Sequence, residues 1–321
     1  MTEKNNRNYD FLRLAESVYC AGYNGADKIE FEVCDIDFFK QNRKELEAFV
    51  DYLLNEPGCS KKKFSVKLNP IFYKTSELQT EIDFTANHDL LAFSGGIDSL
   101  TAFFKMDNPK CFFVNYEQPQ LFSEFFAMDW YARQYRIDYT VYTAPKKPDI
   151  VRKSAWKLNG FKIPARNFLI TSLLATQIQS VNSRLGLGVY KGEILDKNRD
   201  KSQYFFDYLT EIYTKFYQVP VLVYSPIADM KKSDEINFLY DLGIDITKSR
   251  TCVSGSVKPC GHCKPCFNLW ISLKNSKHPE LIDPQWEKKI LKSGYIDIYR
   301  KNIEQYDKER QEEILNAISS I

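Results

Sequence analysis

The chain has 321 residues, enough for one large or two modest domains, and 44% hydrophobic with 27% charged residues is the mix of a globular protein rather than a disordered one. A formal net charge of +2 gives no electrostatic basis for bulk nucleic-acid binding. No apolar run approaches the roughly 20 residues of a membrane span, and the polar start Met1 to Asp10 precedes no secretory core, so the expected location is the cytoplasm.

Residues 1–86 read as a smaller N-terminal accessory α+β domain. Phe11 to Tyr19 has helical apolar spacing, Lys28 to Phe38 alternates as a strand, and Asn42 to Leu54 is an amphipathic helix. Asn55-Glu56-Pro57-Gly58 is a turn, Lys61-Lys62-Lys63 a solvated loop, and Phe64 to Leu68 a strand ended by Asn69-Pro70. None of these residues carries evident chemistry.

From residue 87 to 321 the pattern changes. Leu90 to Phe93 is a short buried strand, followed by Ser94-Gly95-Gly96-Ile97-Asp98-Ser99 and a helix from Leu100. Glycines let backbone N–H groups approach an anion closely, and a helix N-terminus adds positive potential. Ser94 and Ser99 can donate hydroxyl hydrogen bonds, and Asp98 can hold Mg²⁺ on bound phosphates.

Further strands are expected at Cys111–Val114, Tyr139–Tyr142, Leu185–Tyr190 and Val221–Tyr224. Helices are expected at Phe122–Tyr135, Ala165–Val181, Tyr204–Tyr217 and Ser233–Leu242. Alternating strands and helices imply an α/β fold: a doubly wound, Rossmann-like parallel sheet. Ligands of such sheets lie beyond the strand C-terminal ends, where segments 94–99, 115–118, 191–204 and 225–232 all fall.

Four of eight cysteines crowd into Cys252, Cys260, Cys263 and Cys266, spaced C-x7-C-x2-C-x2-C. Four thiolates suit a closed tetrahedral Zn²⁺ knuckle of structural type, with Gly261 turning between ligands and His262 exposed. Cys20, Cys34, Cys59 and Cys111 read as small buried residues.

The turn lacks the G-x-x-x-x-G-K-[ST] pattern and resembles instead the S-G-G-x-D-S signature of PP-loop ATP pyrophosphatases. Together with the cysteine array it resembles QueC, the 7-cyano-7-deazaguanine synthase family, over about residues 88–270. Tyr116-Glu117-Gln118, Pro164-Ala165-Arg166-Asn167, Asp200-Lys201-Ser202-Gln203-Tyr204, Ser225-Pro226 and Lys232 match family segments in order.

The resemblance implies that Ser94, Gly95, Gly96, Asp98 and Ser99 hold the pyrophosphate of ATP with Mg²⁺. Asp98, Arg166 and Lys232 would be catalytic: Arg166 clamping phosphate or carboxylate, Lys232 (or Lys231 in its place) neutralising the α-phosphate. Tyr116, Gln118, Arg166, Asn167, Glu193, Asp200 and Tyr204 would line the substrate site. The implied reaction adenylates the carboxylate of 7-carboxy-7-deazaguanine for attack by an amine.

The acceptor side departs from the family. Phe205-Phe206-Asp207-Tyr208 replaces Pro-Asp-Cys-Arg, Pro119 and Gln120 replace basic residues, Leu269 replaces an arginine, and the stretch from Gly192 to Asp200 is longer. Residues 1–86 have no counterpart in the compact synthase. Divergent, extended QueC-like proteins occur in bacterial antiphage systems, including CBASS, where the resemblance implies attachment of a deazaguanine to a protein partner. A homodimer stays open. The competing readings are a PP-loop tRNA-modifying enzyme and a non-catalytic nucleotide-fold assembly module.

Overall fold

The strand that leads into the serine–glycine turn is the middle one of five. In this computed structural model, described for residues 7–24, 27–55, 64–70, 88–106, 108–115, 121–144, 165–178, 182–195, 199–254, 258–319 and 321, two sheets form. A parallel pair joins β1 (Lys28–Val33) to β2 (Ser65–Pro70), with Ile29 opposite Val66 and Phe31 opposite Leu68. The main sheet is parallel and comprises β3 (His88–Ala92), β4 (Lys110–Asn115), β5 (Tyr139–Thr143), β6 (Ser183–Gly186) and β7 (Val221–Tyr224), in the order β5-β4-β3-β6-β7. This is the doubly wound α/β order expected from the sequence. Its direction reverses between β3 and β6, the position where such sheets bind ligands.

Contacts divide the chain into two units: Met1–Leu90 with Thr143–Leu185 and Asn198–Val223, and Leu91–Tyr142 with Gly186–Lys197 and Tyr224–Ile321.

The first unit contains α1 (Asp10–Asn24), α2 (Ile36–Gln41), α3 (Arg43–Leu54), α6 (Arg166–Ala175) and α8 (Gln203–Tyr217). Phe11 anchors its core, with ring centroids of Phe39, Tyr213 and Phe216 at 5.2, 4.9 and 5.1 Å. Buried Asp10 accepts the Cys34 and Asp35 N–H groups at 2.9 Å each, closing the turn after β1. The strand expected to reach Phe38 stops at Val33, because the Asp35 side chain accepts the Phe38 N–H and starts α2 instead. The long helix expected to Val181 ends at Ala175, where the Thr176 hydroxyl donates back to the Leu173 carbonyl at 2.7 Å.

The second unit contains α4 (Ile97–Lys105), α5 (Leu121–Tyr135), α7 (Lys191–Leu195), α9 (Lys232–Asp241), α10 (Lys264–Lys274), α11 (Pro284–Leu291), α12 (Tyr295–Lys301) and α13 (Lys308–Ser319). Leu91, Phe93, Leu100, Phe113, Met128, Phe267, Trp270 and Ile314 belong to one buried cluster. The strand expected over Leu185–Tyr190 ends at Gly186, and the residues after it bend over the turn that β3 leads into. Of the scattered cysteines, Cys111 is buried, which pushes its thiol up to about 12. Cys20 and Cys34 are only half-buried, against expectation, and Cys59 lies outside the described residues. No helix among the described residues is long and apolar enough to cross a membrane.

One ion pair ties β3 to β6. Arg184 Nε donates to Asp89 Oδ1 at 2.6 Å, and its Nη2 bonds Oδ2, a bidentate fork on a carboxylate that is nearly buried. Arg184→Ala strands the Asp89 charge and should destabilise the chain by about 1–3 kcal/mol, less than for a fully buried pair because the Arg184 side chain is 37% exposed. Urea denaturation followed by circular dichroism measures it; an unchanged midpoint would refute the pairing.

Candidate nucleotide site and cysteine knuckle

The turn after β3 is built by its own hydroxyls and by its neighbours. Ser94 N–H donates to Ser99 Oγ at 3.2 Å, Gly96 N–H to Ser94 Oγ at 3.4 Å, and Ser99 Oγ to the Gly96 carbonyl at 3.0 Å. Gly95 has φ +72, and a Cβ there would stand 2.5 Å from the Met128 nitrogen of α5. Only glycine meets both demands. Gly96 is the N-cap of α4 and makes no side-chain cap bond, and a helix N-terminus of this kind is a place where anions can bind.

A second glycine contact was not anticipated. A Cβ on Gly188 would lie 2.8 Å from Asp98 C and Ser99 N, so the backbone after β6 presses directly on the start of α4. Glycine between apolar residues is the signal that reveals such an approach. Ser225 fastens this segment from the other side: its hydroxyl donates to the Val189 carbonyl at 2.7 Å and accepts Val189 N–H at 3.2 Å.

Lys232, the first residue of α9, is nearly buried and its Nζ bonds Asp98 Oδ1. Lys231, the alternative, points to Glu309 at 2.8 Å and is 36% exposed. Burial would lower the Lys232 ammonium, but the Asp98 and Glu235 charges outweigh it and hold the group above its ordinary value. Glu235, one turn further along α9, is fully buried, and burial with the Asp98 charge pushes its carboxyl well above the ordinary range. The Tyr190 ring lies 5.5 Å from Lys232 Nζ, and burial followed by the Glu193 charge keeps its phenol neutral. Glu193 stands in the first turn of α7. A buried positive group beside the turn after β3, with water largely excluded, could stabilise charge developing on a phosphate oxygen if one were bound there. Glu235, Gly188 and Tyr190 escaped the sequence reading, since nothing local marks them as buried here.

In the first unit, Asn167 is buried and bound to Asp200: its N–H donates to Asp200 Oδ2 and its Nδ2 to the Asp200 carbonyl, both at 3.0 Å. Asp200 thereby caps α6, beginning at Arg166 after Ala165 with φ +48. The turn holding Asp200 is fixed by α3. Tyr52 Oη and Ser202 Oγ lie 2.7 Å apart, Arg199 Nη1 donates to the Tyr52 carbonyl at 2.5 Å, and the Tyr52 and Tyr204 rings meet edge-on at 4.8 Å. Tyr116 and Gln118 lie outside the described residues.

The four knuckle sulfurs all fall within 4.8 Å of one another, with Cys260–Cys266 at 3.9 Å and Cys252–Cys263 at 4.0 Å. Tetrahedral zinc with bonds of about 2.3 Å needs sulfurs about 3.8 Å apart, so this donor set fits the ion. All four thiols are free of disulfides. Backbone N–H groups of His262 and Cys260 donate to Cys260 and Cys252 sulfurs at 3.3 Å each, which stabilises thiolate. Cys266 belongs to α10, whose Trp270 donates to Glu287 of α11 at 2.9 Å, so the knuckle is continuous with the core. His262 is exposed, as the spacing implied.

The family described as "Queuosine biosynthesis protein QueC" matches residues 88–270. The 7-cyano-7-deazaguanine synthase of Prochlorococcus marinus strain MIT 9301 is 25% identical over 132 residues, 38% of this chain and 59% of that protein. That of strain MIT 9515 is 28% identical over 109 residues, 32% of this chain and 49% of that protein. That of Persephonella marina is 35% identical over 46 residues, 14% of this chain and 20% of that protein. The chain thus spans about half the length of the first two relatives. No solved structure matches it.

Two outcomes are expected. Gly188→Ala must displace the turn and should cost about 1–3 kcal/mol of stability while weakening binding of a non-hydrolysable ATP analogue; thermal unfolding and calorimetric titration would read both. Mercurial titration of the four thiolates should release one zinc per chain, detected with a chromogenic chelator, and Cys266→Ser should lose most of that metal and several kcal/mol of stability. Full zinc retention in Cys266→Ser would exclude the four-sulfur site. The match over more than half its residues, together with the serine–glycine turn and the knuckle, places the chain in the QueC family.

Proposed function

We propose that this protein is an ATP-dependent synthetase that activates the carboxylate of 7-carboxy-7-deazaguanine as an acyl-adenylate. The observation that carries the reading is the Asp98–Lys232 pair beside an uncapped helix N-terminus at the sheet's reversal point. A carboxylate resists amine attack because its oxygen leaves poorly. In the proposed first step that oxygen attacks the α-phosphorus of ATP, the bond to the β-phosphate bridge breaks, and pyrophosphate leaves. Backbone N–H groups of the Ser94–Ser99 turn would hold the pyrophosphate, and Lys232 would follow the growing negative charge. A magnesium ion held by Asp98 would neutralise the leaving pyrophosphate.

In the second step an amine nitrogen attacks the acyl carbon, AMP leaves with the C–O electron pair, and a proton passes to solvent. With ammonia the product is the amide; adenylation of the amide oxygen by a second ATP and loss of AMP and two protons give the nitrile. With a protein amine the product is a deazaguanine conjugate, as expected for the antiphage variants. Support for that second acceptor comes from α3, which covers the part of α8 that departs from the family: Phe49 stacks on Tyr208 at 4.1 Å and on Phe205 at 6.1 Å.

Purified protein given ATP and 7-carboxy-7-deazaguanine should form AMP, and Asp98→Ala should lower the rate by about 10²–10³. Undiminished turnover in that variant would overturn the site; no AMP from the native chain would favour the assembly module. Intact mass of co-expressed neighbouring proteins, with or without a deazaguanine adduct, separates the two acceptors.

A further inference from the structure

Glu235 has no place in the adenylation chemistry. It is fully buried, no donor among the described residues bonds either oxygen, and it lies close enough to Asp98 for the two carboxyls to share a hydrogen-bonded proton. Its nearest cation is Lys232, whose Nζ stands 3.9 Å from Oε2, too far for a hydrogen bond. The same ammonium bonds Asp98. Burying a carboxyl against a second one is unfavourable, because both cannot ionise without a counter-charge, and holding Lys232 needs only the closer Asp98. The extra carboxyl therefore asks for a ligand of its own.

Two carboxyl groups converge on one cation position beside a turn shaped for phosphate. Magnesium is bound in such places by one or two carboxylates, with phosphate oxygens and water completing the shell. Among the described residues the four cysteines are the one group of three or more metal-type donors around a single point; here the protein supplies two. We propose that Asp98 and Glu235 jointly hold the divalent cation that accompanies the nucleotide, and that the Lys232 ammonium fills their shared position until cation and phosphate displace it. The proposal rests on the phosphate-binding reading of the turn and is indifferent to the identity of the acid.

The test is manganese binding to the full-length, zinc-loaded chain, read by electron paramagnetic resonance with and without an ATP analogue carrying a methylene between its α and β phosphates. Glu235→Gln should weaken manganese binding in the presence of the analogue by about tenfold or more, and Glu235→Asp should recover most of it. Lys232→Met should tighten manganese binding to the nucleotide-free chain several-fold, because the competing ammonium is gone. Glu235→Gln binding manganese as tightly as the native chain, or Lys232→Met with unchanged affinity, overturns the proposal. Should Glu235→Gln fail to fold, the Lys232→Met measurement decides alone. AMP formation with an unaltered manganese affinity in Glu235→Gln would sink this proposal and spare the synthetase reading; weakened manganese binding without AMP formation would do the reverse.

Discussion

The turn after β3 exists because two stretches of backbone reach it with no side chain between. The α5 backbone lies over Gly95 and the segment after β6 presses Gly188 onto Asp98 and Ser99, at distances that no Cβ tolerates. These contacts pack neighbouring backbone against both the turn and the first residues of α4. Dipoles held in place by packing are the ones that act most strongly on a charged ligand.

The electrostatics of the second unit follow from that packing. Lys232 is brought against Asp98 by α9, and the low-dielectric setting that would discourage its charge is overcome by two carboxyl groups. The arrangement holds an excess of acid over base at a site expected to meet a still more anionic ligand. In the proposed reading a cation other than lysine would resolve that conflict, and the α4 N-terminus would face the remaining negative charge.

The first unit has a different logic. Its rings around Phe11 and Phe49 come both from residues before Leu54 and from α8 and α6. Asp200, read from the sequence as a substrate residue, also caps α6 through Asn167, and its turn is braced by Tyr52 and Arg199. Changing residues 1–86 would therefore alter a segment that the family resemblance assigns to substrate, which a boundary drawn along the sequence does not convey.

Much of the molecule was legible in one dimension because the forces behind it are local or periodic. The apolar run before Ser94, the two glycines after it, and four cysteines within fifteen positions dictate a strand, a tight turn into a helix and a cluster of four sulfurs that could hold a metal. Alternating strands and helices dictate a parallel sheet through the handedness of its crossovers. Where elements stop was less legible: an Asp35 cap cut one expected strand short, and another ended at Gly186, just before the close backbone approach at Gly188. Only the tertiary structure chose Lys232 over Lys231, buried Glu235 beside Asp98, and set α3 against α8. Those outcomes depend on pairings far apart in the chain, and on the loss of water around a charge, neither of which a residue's immediate neighbours encode.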